Sequence, residues 1–208
     1  TRDVPYSLDF NYDYILAHNH IPVLCVMHEK ACVDEAGFFD ESLKTHEDWD
    51  LWIRMSRTFR FAHIKKVTCE FTWREDGSSM TSSKQAIVLR DYERIYEKYR
   101  DYAKDKSHIL QAQEGHLADY RQRRDRACAK LLRHAQDLAG AGRTDEAIQV
   151  LEQILAADAD HAEAHNDLGV LRFQKGELEP ALAHLERALI LEPDNTSAGK
   201  NLAELHLV

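Results

Sequence analysis

The spacing of hydrophobic and polar positions changes character partway along the chain. Up to about residue 80, apolar residues come in short runs rich in β-branched and aromatic side chains. Two of them, "IPVLCVMHE" (21–29) and "FRFAHIKKVTCEFTWR" (59–74), are bounded by Asn, Pro, Gly and Ser. Runs of that composition between turn-forming residues predict strands. Two short helices are predicted between them, one near residues 30–36 and one over 47–57. The tryptophans Trp49, Trp52 and Trp73 all fall in this part. From residue 83 the spacing becomes helical: Ile87 or Val88, Tyr92, Ile95, Tyr96 and Tyr99 recur every three or four positions, which makes an amphipathic helix rather than a binding stripe. Residues 101–126 read as a charged helix, with Gly115 as a point where it would break.

The C-terminal part is a repeat. At a period of 34 residues, 128–161 aligns with 162–195, and the second unit reads "AEAHNDLGVLRFQKGELEPALAHLERALILEPDN". Leu168, Gly169, Gly176, Ala181, Leu185, Ala188 and Pro193 occupy the small and large positions of a tetratricopeptide repeat, which the unit resembles. The first unit keeps Ala135, Gly142, Ala147 and Leu151, with His134 where Leu is expected and Ala159 where the terminal Pro is expected. A third unit begins at Thr196, keeps Leu202 and Ala203, and stops after one helix. Small residues let paired helices approach, large ones fill the space between units, and one repeat alone cannot bury its face. The half-repeat and the helix before Cys128 are therefore expected to cover the ends.

Acids and tryptophans crowd together in "KTHEDWDLWIRMS" (44–56). Thr45 followed three residues later by Asp48 fits a capping box, and Glu47 and Asp48 suit the positive end of a helix dipole. The wider order of motifs carries more. Asn19 and Pro22, then Gly37 with Phe39, Asp40 and Glu41, then Glu47 to Trp52, then Arg74 to Met80 follow one another as in the C-terminal half of family 2 glycosyltransferases of the GT-A fold, which residues 1–85 resemble. The resemblance implies an incomplete Rossmann-like α/β half that binds acceptor, followed by connecting helices over 86–127 and an all-α repeat domain over 128–208. It implies an enzyme that inverts the anomeric centre. Asp48 would be the general base that deprotonates an acceptor hydroxyl, and Glu47 would assist it. Trp49 and Asp50 would shape the acceptor pocket or hold the helix, and Arg74 would offset charge on the departing diphosphate. Phe38 replaces the second Gly of the family's turn, which puts the shape of that turn in doubt.

Cofactor and partner expectations follow from the same resemblance. Family members hold a divalent ion, Mn2+ or Mg2+, through a DxD motif in their N-terminal half. The strings at 48–50 and 158–160 lie in the catalytic helix and between repeat helices, so no metal is expected in this chain. The sequence opens at Thr1 in mid-pattern, and the expectation is a fragment that alone neither binds donor tightly nor turns over. Expected partners of the complete enzyme are a nucleotide-diphosphate sugar and a saccharide, lipid-linked or protein acceptor, with a peptide or protein at the repeats. The alternative function is a repeat-based adaptor carrying a degenerate transferase domain.

Charge and cysteines narrow the field further. A net charge of -9 and a pI near 5.7 argue against a nucleic-acid surface. The run "RQRRDR" (121–126) reads as a solvated helix face. Cys25, Cys32, Cys69 and Cys128 contain no CxxC pair, so neither a zinc ribbon nor a thioredoxin motif is present, and reduced thiols are expected. No apolar run is long enough to span a bilayer. The expected location is cytoplasmic, with any membrane association through partners. His18 with His20 lacks a third ligand, and His161 with His165 straddles a repeat boundary, so neither pair is assigned a metal.

Overall fold

The computed structural model describes residues 8–69 and 85–207. Residues 70–74 of the second expected strand, Trp73 and Arg74 among them, lie outside them. The chain divides into two compact units, Thr1–Arg121 and Gln122–Val208.

The first unit is built from helices and turns. Short 3-10 turns at Tyr14–Leu16 and Val23–Cys25 precede α1 (Lys30–Ala36), α2 (Glu47–Thr58), α3 (Gln85–Lys98) and α4 (Arg100–Ala103). The long helix α5 (Ser107–Gly140) begins in this unit. Among the described residues there is no strand, which corrects the α/β expectation for this half. Within 21–29, Pro22 instead opens the 3-10 turn, and α1 follows. Within 59–69, Phe59 is extended, but Lys66 N–H turns back onto the Ile64 carbonyl at 2.7 Å. A run becomes a strand only when its backbone meets another strand, and β-branched and aromatic composition reports a half-buried surface as readily as a ladder. Here the side chains carry the packing: Phe61 stacks on Phe10 with ring centroids 4.3 Å apart.

One apolar cluster fills the unit, with Trp49, Ile53 and Val88 fully buried beside Ile15, Leu51, Trp52 and Ile95. The stripe anticipated from residue 87 onward is the buried face of α3, where Val88, Leu89, Tyr92, Ile95, Tyr96 and Tyr99 enter this core. Ile109 and Leu117 of α5 join them. Residues 86–121 are therefore part of the first unit rather than a connector, because its core is incomplete without their apolar face. Gly115 does not break α5. One glycine costs about 1 kcal/mol against alanine inside a helix, less than the surrounding burial supplies.

Three consecutive buried carbonyls anchor this unit. Trp49 Nε1–H donates to Ile15 O at 2.6 Å, Gln113 Nε2–H to Leu16 O at 2.8 Å, and the Tyr96 hydroxyl to Ala17 O at 2.9 Å. The donors come from α2, α5 and α3.

The second unit holds the rest of α5, then α6 (Thr144–Ala157), α7 (Ala162–Gln174), α8 (Leu178–Leu191) and α9 (Thr196–Leu205). The period of 34 is visible in its joints. Gly142 and Gly176 take the left-handed φ values of 75° and 77° that end the first helix of each hairpin. His161 and Asn195, also 34 apart, cap α7 and α9 by accepting from the amides of Ala164 and Ala198 at 3.3 Å and 3.0 Å. His161 is thus a helix cap. The residues the repeat marks as small and large are the core: Ala135, Ala147, Leu151 and Leu168 in one cluster, Ala181 and Leu185 in the next.

Gly169 marks the closest approach between α7 and α8. A Cβ there would lie 2.6 Å from Leu185 Cγ and 3.2 Å from the Ala181 carbonyl oxygen. Overpacking of this kind costs about 1–3 kcal/mol. Gly169→Ala is expected to destabilise the second unit by that amount in urea melts, whereas Gly199→Ala, whose Cβ would meet nothing within 4 Å, is expected to leave it unchanged or slightly stabilised.

Candidate functional site

The first candidate site forms at the start of α2. The residue before it, His46, takes a left-handed φ of 61°, and Asp48 is the second residue of the helix. The expected capping box is absent. Thr45 lies too early to cap, and its amide and hydroxyl both donate to Asp91 Oδ2, at 2.8 Å and 3.1 Å. Asp91 also takes the Lys44 amide at 2.9 Å, so an acid on α3 shapes the approach to α2. His46 Nδ1 lies 3.0 Å from the Thr45 hydroxyl, with its ring against Tyr92. Burial lowers the pKa of that imidazole below its usual value, although Asp91 and Glu47 act in the opposite sense.

Asp48 is half-buried. Its Oδ1 accepts the Trp49 amide at 2.7 Å and makes a long 3.4 Å contact with Asn19 Nδ2. Asn19 Oδ1, beside it, is buried and has no hydrogen-bond partner among the described residues. Burial raises the Asp48 pKa above the usual carboxylate value. The Trp49 amide opposes this, Glu47 adds to it, and Asn19 opposes it. Desolvation thus outweighs the helix-start amide, so the group is a stronger base than a solvated aspartate. Glu47 is exposed.

Trp49 and Asp50 do not open onto this site; both are fully buried. Trp49 packs its ring at right angles to Tyr96 and spends its N–H on Ile15, and so holds the helix. Asp50 binds Arg54 Nε at 3.0 Å, Lys98 Nζ at 2.7 Å and the Tyr99 hydroxyl at 2.6 Å. Of the two roles expected for them, both residues hold the helix and neither lines a pocket, because solvent and solute alike are excluded from them. Their network joins the two motifs. Arg54 donates to the carbonyls of Ala36, Gly37 and Phe38, while Lys98 bridges Asp50 to Asp40 at 2.9 Å. The turn keeps its place without a second glycine because a guanidinium binds its carbonyls. The Asp40 carboxyl is held well below its usual pKa by the Ser42 hydroxyl first and then by Lys98.

Neither DxD string gathers its acids around one point. Asp50 turns into the core away from Asp48, Asp158 pairs with Arg124 at 3.4 Å, and Asp160 pairs with Arg187. Among the described residues no three His, Cys, Asp or Glu side chains converge on a metal-sized space. No helix among them is long and apolar enough to cross a membrane. Arg74 lies outside the described residues. Asp91, Lys98 and His46 were not legible as contributors, since nothing in their spacing marks them. Asn19 was visible in the motif order, although not as the partner of Asp48.

The second candidate site is a groove on the second unit. One hollow of about 350 Å³ is lined by Gln136, Ala139, Asp167, Val170 and Gln174 among others, and a second of about 170 Å³ by Val170, Phe173, Gln174, Asn201 and Glu204. They share Val170 and Gln174 and are lined mostly from the first helices of successive repeats, α5, α7 and α9, with Leu151 of α6 and Leu185 of α8 contributing one residue each. Polar side chains run along it: Gln136 donates to Asp167 at 3.1 Å, and Asn201 to Asn166 at 2.8 Å. Among the described residues lining the hollows are the carboxylates Asp167 and Glu204, and neither Lys nor Arg. The unit carries ten Lys and Arg against fifteen Asp and Glu over residues 122–208. A groove of this sign attracts cationic segments.

Comparison with known proteins fits this unit. Residues 138–205 match the tetratricopeptide repeat model, so a tetratricopeptide repeat is present there. A stretch of 62 residues is 40% identical to the peroxisomal targeting signal receptor of Yarrowia lipolytica, covering 30% of this chain and 10% of that receptor. The chain thus spans about a tenth of the curated relative it matches.

Two substitutions separate the roles of the neighbouring acids. Because the folded-state pKa of Asp48 is raised, ionising it costs stability between its unfolded and folded pKa values, and the cost persists at neutral pH. Asp48→Asn keeps an oxygen for the Trp49 amide, so at pH 7 its thermal midpoint is expected at or above that of the parent. The difference should vanish near pH 3, where both states are protonated. Asp50→Ala leaves the buried Tyr99 hydroxyl without its acceptor, while Lys98 keeps Asp40 and water, and is expected to cost about 1–3 kcal/mol in chemical denaturation.

Proposed function

We propose that the protein is an interaction module: the groove along α5, α7 and α9 holds a segment of a partner protein, and that segment is cationic. What carries this reading is the groove itself, two adjoining hollows whose charged lining residues are acids, on a repeat in which the first helix of each hairpin faces one side. The matched relative is by its name a receptor for a targeting signal, which agrees with peptide capture while bearing on only part of this chain. Selection from a displayed library of random peptides should enrich Lys- and Arg-containing sequences. The double substitution Asp167→Lys with Glu204→Lys is expected to weaken the selected peptides about tenfold or more, at roughly 1 kcal/mol per reversed charge. Enrichment without basic residues, or affinity unmoved by the reversal, would overturn it.

A second reading concerns the first unit, and the meeting of Asn19 with Asp48 favours it. In this reading the unit is the acceptor half of an inverting glycosyltransferase, and the groove brings it to its partner. Asp48 takes the proton of an acceptor hydroxyl, whose oxygen attacks the anomeric carbon of a nucleotide-diphosphate sugar as the diphosphate leaves from the opposite face. Asn19 Oδ1, which has no hydrogen-bond partner among the described residues, would accept from a hydroxyl of the acceptor. Arg74 is assigned to the leaving charge, and no donor or metal site is assigned to residues of this chain. With the chain in its full genetic context, Asp48→Asn should abolish acceptor-dependent release of nucleoside diphosphate while leaving peptide capture unchanged. Release that survives this substitution rules out Asp48 as the base.

A further inference from the structure

Two cysteines that the functional readings leave unused face each other in the first unit. Cys25 Sγ and Cys69 Sγ are 3.1 Å apart, although 44 positions separate them in sequence. Cys25 ends the turn that follows Pro22 and is exposed; Cys69 is half-buried. Both are free thiols. A disulfide is about 2.05 Å long, so closing the pair takes an approach of about 1 Å, within reach of side-chain rotation.

We propose that Cys25 and Cys69 form a reversible disulfide, oxidised by a low-molecular-weight disulfide such as oxidised glutathione. The Cys25 thiolate, the more exposed, attacks one sulfur of glutathione disulfide and releases one glutathione thiolate. The Cys69 thiolate then attacks Cys25 Sγ in the mixed disulfide and releases the second. Two protein thiols lose two protons and two electrons, and one oxidised glutathione becomes two reduced ones. The bond closes a ring around α1 and α2 and therefore around Asp48, tying the Val23–Cys25 turn to the chain that follows α2. The other cysteines are placed differently: Cys128 is buried in the repeat core, and Cys32 packs against the first unit's core.

The Cys25 thiol is pushed up to about 11 by burial first, and by the neighbouring Cys69. Only a small thiolate fraction is then present at neutral pH, so closure is slow there and accelerates about tenfold per pH unit between 7 and 9.

The reduced full chain, equilibrated in glutathione buffers from fully reduced to fully oxidised, is to be digested without reductant and read by mass spectrometry. Expected is one intramolecular peptide pair joining Cys25 to Cys69, about 2 Da lighter than the sum of its reduced parts. It should be reversed by dithiothreitol, should accompany a raised thermal midpoint, and should persist in the variant carrying Cys32→Ser and Cys128→Ser. Free thiols at the oxidised end, separate glutathione adducts on the two residues, or a bridge to another cysteine or another chain would each overturn the proposal.

Discussion

The first unit depends on three neighbouring backbone carbonyls that have left water. Ile15, Leu16 and Ala17 are all but fully buried, and their carbonyls are met by donors from Trp49, Gln113 and Tyr96, with His116 also bonding to the Ala17 backbone. A buried acceptor left without a donor costs about 1–3 kcal/mol, so this turn can sit in the interior only when all three helices are in place. Elements far apart in the sequence are thereby made to fold as one. The placement of Asp48 follows, because the neighbouring residue is Trp49, whose ring and N–H fix the start of α2.

That constraint explains what could be read beforehand and what could not. The repeat was legible, since its signal is periodic: glycines at 142 and 176, alanines at 147 and 181 and leucines at 151 and 185 recur at the same offset, and the structure adds caps at 161 and 195 at that offset too. The buried face of α3 was legible for the same reason. The lack of strands among the described residues of the first unit was not, because "IPVLCVMHE" has the composition of a strand, and composition does not say whether a neighbouring backbone is there to pair with. The capping box failed more narrowly. Thr45 and Asp48 have the right spacing, yet Asp91 takes the Thr45 amide and hydroxyl, and a long-range partner on α3 is invisible to local pattern.

The adjacent acids of α2 show how one motif can serve two ends. Asp50 is fully enclosed with Arg54, Lys98 and Tyr99, where its charge is matched and its contribution is rigidity. Asp48, two positions earlier, is half-enclosed and undercompensated, where burial makes its ionised form costly. Desolvation without a paired cation is the usual way to keep a carboxylate basic, and it works against stability. The groove of the second unit works differently: Glu204 is exposed and the half-buried Asp167 accepts from Gln136 and Asn166, so their charge faces what approaches while its hydrogen bonds are met.

The hydroxyl of Thr45 has only one hydrogen, and Asp91 Oδ2, already accepting two amides, can use it only as an acceptor. Both contacts are kept together in the tautomer whose Nδ1–H is given by His46, 3.0 Å away, to that oxygen. In that tautomer Nε2 carries the lone pair, so an aspartate on α3 reaches through one hydroxyl to bias a ring at the threshold of α2.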